Sequence, residues 1–170
     1  MWDKWKNKWS LSKFIKEVLT GIILIFIFLN IISYIRQPEL SSTTVPNLDV
    51  TLVDGSTFVY DKQKPLLIHF WATWCSTCRF EASSIERLSH DYQVLSVAVS
   101  SGSDTHLSAF MQAHNLSYPV LNDAEANWVK RFNITAFPSS FIYNAQGDLS
   151  FSEVGYTSTV GLYARMKLAE

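Results

Sequence analysis

Two cysteines three positions apart, Cys75 and Cys78, are the only thiols in this chain of 170 residues. They follow an apolar run, Leu66 to Trp71, that has the length and residue types of a buried strand, and they open a stretch that reads as a helix. At that separation on a helix two Cα atoms lie roughly 5 to 5.5 Å apart, within the span of a disulfide, so the pair can open and close. Cys75 falls at the helix N-terminus, where unpaired N–H groups and the positive end of the dipole favour a thiolate, which makes it the nucleophile. Cys78 shares a helical face with Ala82, Ile85 and Leu88, so it points inward and is placed to resolve a mixed disulfide from within.

Other uses of two cysteines fit the spacing poorly. A structural zinc needs four ligands, and His69, His90, His106 and His114 are scattered without forming a second pair. A haem attachment motif needs His after the second cysteine, and position 79 is Arg. A purely structural bridge between residues this close removes little chain entropy.

The elements around the pair describe an α/β sandwich with a mixed sheet. Val50–Val53, an Asp54-Gly55 turn and Thr57–Tyr60 give a hairpin signal. Leu66–Trp71 leads into the cysteine helix, which ends near His90. Gln93–Ser100 is a further apolar strand, and Leu107, Phe110, Met111 and His114 mark one face of the next helix. Tyr118–Leu121 reads as a short strand, followed by a helix through Trp128 and Phe132. Ser140–Tyr143, a turn at Asn144–Gly147, Leu149–Val154 and a helix from about Thr159 complete the chain.

Ahead of this domain, placed at residues 48–170, the chain changes character. Val18–Ile35 is a run of 18 uncharged residues, roughly 27 Å as a helix and close to the hydrocarbon thickness of a bilayer. Residues 1–17 carry five lysines against Asp3 and Glu17, whereas only Arg36 follows closely, so the positive-inside rule keeps the N-terminus in the cytoplasm and sends the rest across. Trp2, Trp5 and Trp9 suit an interfacial anchor. The run is long for a cleaved signal and no small-x-small site follows, which favours an uncleaved signal anchor. Residues 36–47, with Ser41-Ser42-Thr43-Thr44 between prolines, read as an extended linker. Residues 37–170 hold 8 basic against 13 acidic side chains, a net of −5 that argues against a nucleic-acid partner.

The run Trp-Ala-Thr-Trp-Cys-Ser-Thr-Cys-Arg resembles the active site of thioredoxin-like proteins. Its continuation, Cys-Arg-Phe-Glu, is similar to the membrane-anchored extracytoplasmic branch used in cytochrome c maturation. Phe137-Pro138 before Ser139-Ser140-Phe141-Ile142 resembles the family's cis-proline segment. Phe151-Ser152-Glu153-Val154-Gly155-Tyr156 looks like its closing strand, in the manner of the copper-sensitivity suppressor D type of disulfide oxidoreductase.

The resemblance implies a thioredoxin-like fold, a periplasmic domain tethered to the bacterial inner membrane, and a cis peptide before Pro138. It also implies exchange of the Cys75–Cys78 couple with cysteine-containing exported proteins. No metal or organic cofactor is called for, since the pair itself carries two electrons. An electron-exchange partner, such as a membrane thiol transporter, must reset it. Trp74, Phe137 and Tyr156 form an apolar rim for an extended substrate on this reading, or else serve as shielding aromatics.

His69 stands where thioredoxin has a buried carboxylate, either as a proton relay for Cys78 or as a core histidine. Glu81 falls on the apolar side of its helix, either as an active-site acid or in a salt bridge with Arg79 or another base. Arg79 itself is a helper of the thiolate or a solvated surface charge. Ser76-Thr77 departs from the Gly-Pro of thioredoxins, which leaves the redox direction open between reductant and oxidant or isomerase. Two thiolates also suit Cu(I), although Met111 and Met166 have no spacing to the cysteines that makes a soft-metal cluster.

Overall fold

The computed structural model describes the backbone of residues 11–35 and 43–170, and the side chains of 13–28 and 43–170. The three N-terminal tryptophans, most of the basic segment and the first part of the linker lie outside the described residues. Two compact units, Met1–Arg36 and Gln37–Glu170, divide the chain.

In the first unit Leu11–Ile35 forms helix α1 of 25 residues. Its described apolar side chains, from Phe14 to Phe28, are exposed all round. Among the described residues no helix is long and apolar enough to cross a membrane.

The second unit is built on one five-stranded sheet. Its strands are β1 (Leu66–Trp71), β2 (Gln93–Val99), β3 (Val120–Asp123), β4 (Ser139–Tyr143) and β5 (Leu149–Val154), in the order β3-β2-β1-β4-β5. β1, β2 and β3 run parallel, whereas β4 is antiparallel to β1 and β5 to β4. β1 is central and buried along its whole length, which is why it reads as an unbroken apolar run. Alternation divides its side chains between two cores. Leu67 and Trp71 pack with the helices α2 (Ser76–Ser89), α3 (Asp104–Ala113) and α5 (Thr159–Leu168). Leu66, Ile68 and Phe70 pack on the opposite face with Phe132, Phe141 and the segment carrying Leu48, Leu52 and Phe58. There Phe70, Phe132 and Phe141 meet with ring centroids 4.9 to 5.8 Å apart.

The expected mixed α/β sheet is therefore present, with β1, β5 and the start of α5 where the residue pattern puts them. Two local expectations need correction. The Val50–Tyr60 hairpin reduces to a single bridge between Thr51 and Thr57, with Leu52 N–H donating to Ser56 C=O at 2.8 Å. Val53 N–H instead donates to Val120 C=O at 2.8 Å, so the segment divides its hydrogen bonds between its own return and the edge of β3. β3 begins two residues later than expected and runs on to Asp123. The Asp123 carboxylate accepts the N–H groups of Asn127, Trp128 and Val129 at 2.8, 3.0 and 3.0 Å, opening the short helix α4 (Asn127–Arg131).

Candidate active site

Cys75 is the N-cap of α2, extended at φ −86° and ψ 111°, and its Sγ accepts the Cys78 N–H at 3.1 Å. The two cysteines form a disulfide with Cα atoms 5.3 Å apart. Cys75 is 9% exposed and Cys78 1%, so an incoming sulfur meets Cys75 first. This asymmetry follows from the helix. Cys78, Glu81, Ser84, Ile85 and Leu88 make its buried stripe, while Ser76, Thr77, Arg79 and Phe80 face outward. Arg79 is thus an exposed side chain.

The turn that carries Cys75 from the end of β1 is tied down on several sides. Cys75 N–H donates to Ala72 C=O at 3.1 Å, Thr73 N–H to Ser101 Oγ at 3.0 Å, and the Trp74 indole N–H to Ser100 C=O at 3.3 Å. Trp74 is 62% exposed and stands edge-on to Phe137, with ring centroids 5.6 Å apart. The Phe137–Pro138 peptide is cis, Pro138 is buried, and Pro138 C=O accepts the Gly155 N–H at 2.8 Å. That contact secures the chain just before Tyr156, which is 56% exposed. Trp74 and Phe137 are directly paired, while Tyr156 joins them through the backbone link of Gly155 to Pro138.

His69 is buried on the sheet face shared with Leu67 and Trp71, opposite Ser140 in the β1–β4 register. Its Nδ1 lies 2.9 Å from Ser140 Oγ, and burial lowers its pKa to about 3, so the ring is neutral at physiological pH. The partner is a side-chain hydroxyl on another strand. Ser140→Ala would strand that ring nitrogen in the core, with an expected loss of about 1–3 kcal/mol of stability. Urea unfolding with an unchanged slope would measure it.

Glu81 has no exposed surface. One carboxylate oxygen accepts the Thr157 N–H at 3.0 Å and the other is buried without a hydrogen-bond partner. Neither Arg79 nor any other base forms an ion pair with it among the described residues. Desolvation is the main cause that raises its pKa to about 7, the Thr157 N–H opposes the rise, and the nearby Glu153 adds to it. Glu153 is itself paired with Arg165, whose Nε lies 2.6 Å away.

Ser101, Ser140 and Thr157 escape a reading of the residues alone. They are ordinary polar residues whose importance lies in contacts 28, 71 and 76 positions away in the chain. No group of three or more His, Cys, Asp or Glu side chains that could hold a metal occurs among the described residues.

Comparison with known proteins agrees with this geometry. The chain is 28% identical over 169 residues to a thioredoxin-like protein of Haemophilus influenzae, covering 95% of this chain and 98% of the relative. It is 22% identical over 149 residues to sporulation thiol-disulfide oxidoreductase A of Bacillus subtilis, covering 82% of this chain and 90% of that protein. A crystal structure of a thioredoxin-family thiol:disulfide interchange protein from Chlorobium tepidum superposes with a TM-score of 0.66 at 26% identity, over 77% of this chain and 98% of that one. The family model for AhpC/TSA matches residues 38–152. The chain belongs to the AhpC/TSA family, as a thioredoxin-like thiol-disulfide oxidoreductase.

Proposed function

We propose that this protein is a membrane-tethered, periplasmic reductant of disulfides in exported proteins, serving cytochrome c maturation or copper-related thiol chemistry. The observation that carries the thiol chemistry is the asymmetric disulfide at the N-terminus of α2, with the edge of Cys75 at the surface and Cys78 enclosed. In the reduced protein the Cys75 thiolate attacks one sulfur of a substrate disulfide, forming a mixed disulfide and releasing one substrate thiolate. Cys78 then loses its proton and attacks the Cys75 sulfur, releasing the second substrate thiol and closing the Cys75–Cys78 bond. Two electrons pass to the substrate, and a membrane thiol transporter or similar donor must return them.

In this scheme Glu81, one turn along the same buried stripe of α2 as Cys78, is the proton acceptor for Cys78. A carboxyl that titrates near 7 can take or return a proton under working conditions. His69, neutral and hydrogen-bonded to Ser140, supports the strand beneath the pair. Trp74, Phe137 and Tyr156 offer the apolar rim. Neither the N–H nor the C=O of Phe137 makes a backbone hydrogen bond among the described residues, leaving both for an extended peptide to pair with.

Tethering is supported by the uncharged run Val18–Ile35, its helical backbone through Ile35, and the lysines that precede it. The reductant reading draws on the likeness of the Cys-Arg-Phe-Glu and Phe151–Tyr156 segments to the cytochrome-maturation and copper-sensitivity branch. A relative covering 84% of this chain carries the name thiol-disulfide oxidoreductase ResA, in Bacillus cereus.

The test is the reduction potential of the Cys75–Cys78 couple in the full chain, held in detergent and equilibrated with thiol buffers. A value below about −220 mV supports a reductant, and one near about −120 to −180 mV would reassign it to disulfide donation or isomerisation.

A further inference from the structure

We propose that Ser101, together with the carbonyl of Ser100, is a positioning group that holds Cys75 on the axis of α2 and thereby sets the redox balance of the cysteine pair. This rests on the thiol-disulfide reading above and names a device within that site.

The grip on the cysteine turn comes from the loop that follows β2. Ser101 is buried, and its hydroxyl is engaged on both sides: it donates to Val99 C=O at 2.9 Å and accepts the Thr73 N–H at 3.0 Å. Its proton is thus directed into the sheet, and a lone pair is aimed at the turn that carries the nucleophile. Beside it, Ser100 C=O receives the Trp74 indole N–H at 3.3 Å. Two consecutive residues of one loop therefore grip two consecutive residues immediately before Cys75.

The loop is itself held in a demanding conformation. Ser100 is a non-glycine residue at φ 44°, in the left-handed region, and Gly102 lies at φ 93°. Such a backbone persists only where its surroundings impose it. Here Ser100 N–H donates to Asp123 C=O at 3.3 Å, Asn122 Nδ2 donates to Gly102 C=O at 3.0 Å, and a Cβ at position 102 would press on the ring of His106, the nearest atom being 3.1 Å away. The left-handed turn at Ser100 aims its carbonyl at Trp74.

The consequence for chemistry is geometric. Cys75 accepts the Cys78 N–H only because the preceding turn delivers it to the N-cap position. That N–H and the helix dipole stabilise the thiolate of the reduced form. Losing the grip on Thr73 lets the sulfur drift from the axis, so the dithiol form becomes less favourable and the couple more reducing.

The full chain in detergent, wild type and Ser101→Ala, would be equilibrated with glutathione buffers, and the alkylation rate of the reduced protein followed against pH. Ser101→Ala should lower the equilibrium constant for forming the dithiol about tenfold, equivalent to about 30 mV for a two-electron couple, and move the alkylation midpoint to higher pH. Ser101→Thr, which keeps a hydroxyl, should stay within about twofold of wild type in the same assays, because the bond to Thr73 survives. An alanine variant matching wild type in both readouts, or a threonine variant shifted as far as alanine, overturns the inference. Should Ser101→Ala fail to fold, Trp74→Phe, which loses the indole N–H bond to Ser100 and alters the edge contact with Phe137, must shift both readouts in the same direction for the inference to stand. A wild-type pair that does not cycle overturns the proposed function along with it, whereas a cycling wild type with an unchanged variant overturns this inference only.

Discussion

Cys75→Ser should reduce disulfide-exchange turnover by about 1000-fold or more, because a serine hydroxyl is not ionised at neutral pH and cannot carry the electron pair. Cys78→Ser should behave differently. Its Cys75 still attacks, but nothing resolves the mixed disulfide, so covalent adducts with substrate accumulate. The distinction rests on the 9% exposure of Cys75 against 1% for Cys78 and on the N-cap position of the former. A non-reducing gel of each variant incubated with a disulfide-containing peptide reads the outcome directly. Adducts that dithiothreitol releases should appear with Cys78→Ser and be absent with Cys75→Ser. The reverse pattern would exchange the two roles. Turnover by both single variants would remove the pair from the chemistry altogether.

Glu81→Gln should stabilise the folded protein at pH 8 and change little at pH 4. In the folded chain the carboxyl titrates near 7, above its ordinary 4.5, chiefly because burial penalises its charge. The folded state therefore holds its proton more tightly than the unfolded state does. The associated stability is fully present below pH 4.5, is lost as pH rises through 7, and changes little further above that. The gap corresponds to on the order of 3 kcal/mol between the two ends of that window. Glutamine keeps an oxygen for the Thr157 N–H and never ionises, so this contribution to the pH slope disappears. Urea melts at the two pH values give the comparison. A variant with the same slope between pH 4.5 and 7 as wild type would assign that titration elsewhere. The exchange rate of the glutamine variant should likewise lose an inflection near pH 7, which separates a proton-handling role from a purely structural one.

Together these variants divide the site into a part that reacts and a part that tunes. The cysteines carry the electrons. On the proposed reading, Glu81, Ser101 and the turn through Thr73 govern how readily the thiols ionise and which form of the couple is preferred. Since Cys75 is engaged by the Cys78 N–H within its own helix, the surroundings act mainly by holding that helix terminus and the preceding turn in register. Near the pair in the chain and fold, Trp74 and Phe137 stand in edge contact and Tyr156 is exposed beyond Gly155.

Much of this was determined by local sequence. A spacing of three on a helix puts two sulfurs within bonding distance, and an N-cap position activates the first of them. Helical periodicity placed Cys78, Ile85 and Leu88 inside, as the structure has them, and the apolar run at Leu66–Trp71 is a central strand at those bounds. These properties depend on neighbours within a turn or on a strand's own alternation, so the residue order suffices to state them.

Only the tertiary structure decided the partners of the polar groups. Sheet register sets His69 against Ser140, the docking of α5 on α2 brings the Thr157 amide to Glu81, and the loop after β2 brings Ser101 to Thr73. Each pairing joins residues distant in the chain, and serine and threonine carry no pattern that marks them for it. The fate of Val50–Tyr60 has the same cause. Its turn chemistry favours a hairpin, but the open edge of β3 takes the Val53 N–H, and Leu52 and Phe58 are drawn into the core. Asp123 likewise ends a strand against its propensity, because three amides of α4 converge on its carboxylate. Local preference is worth tenths of a kcal/mol to about one per residue, and a buried hydrogen bond or a core side chain outweighs it wherever packing supplies one.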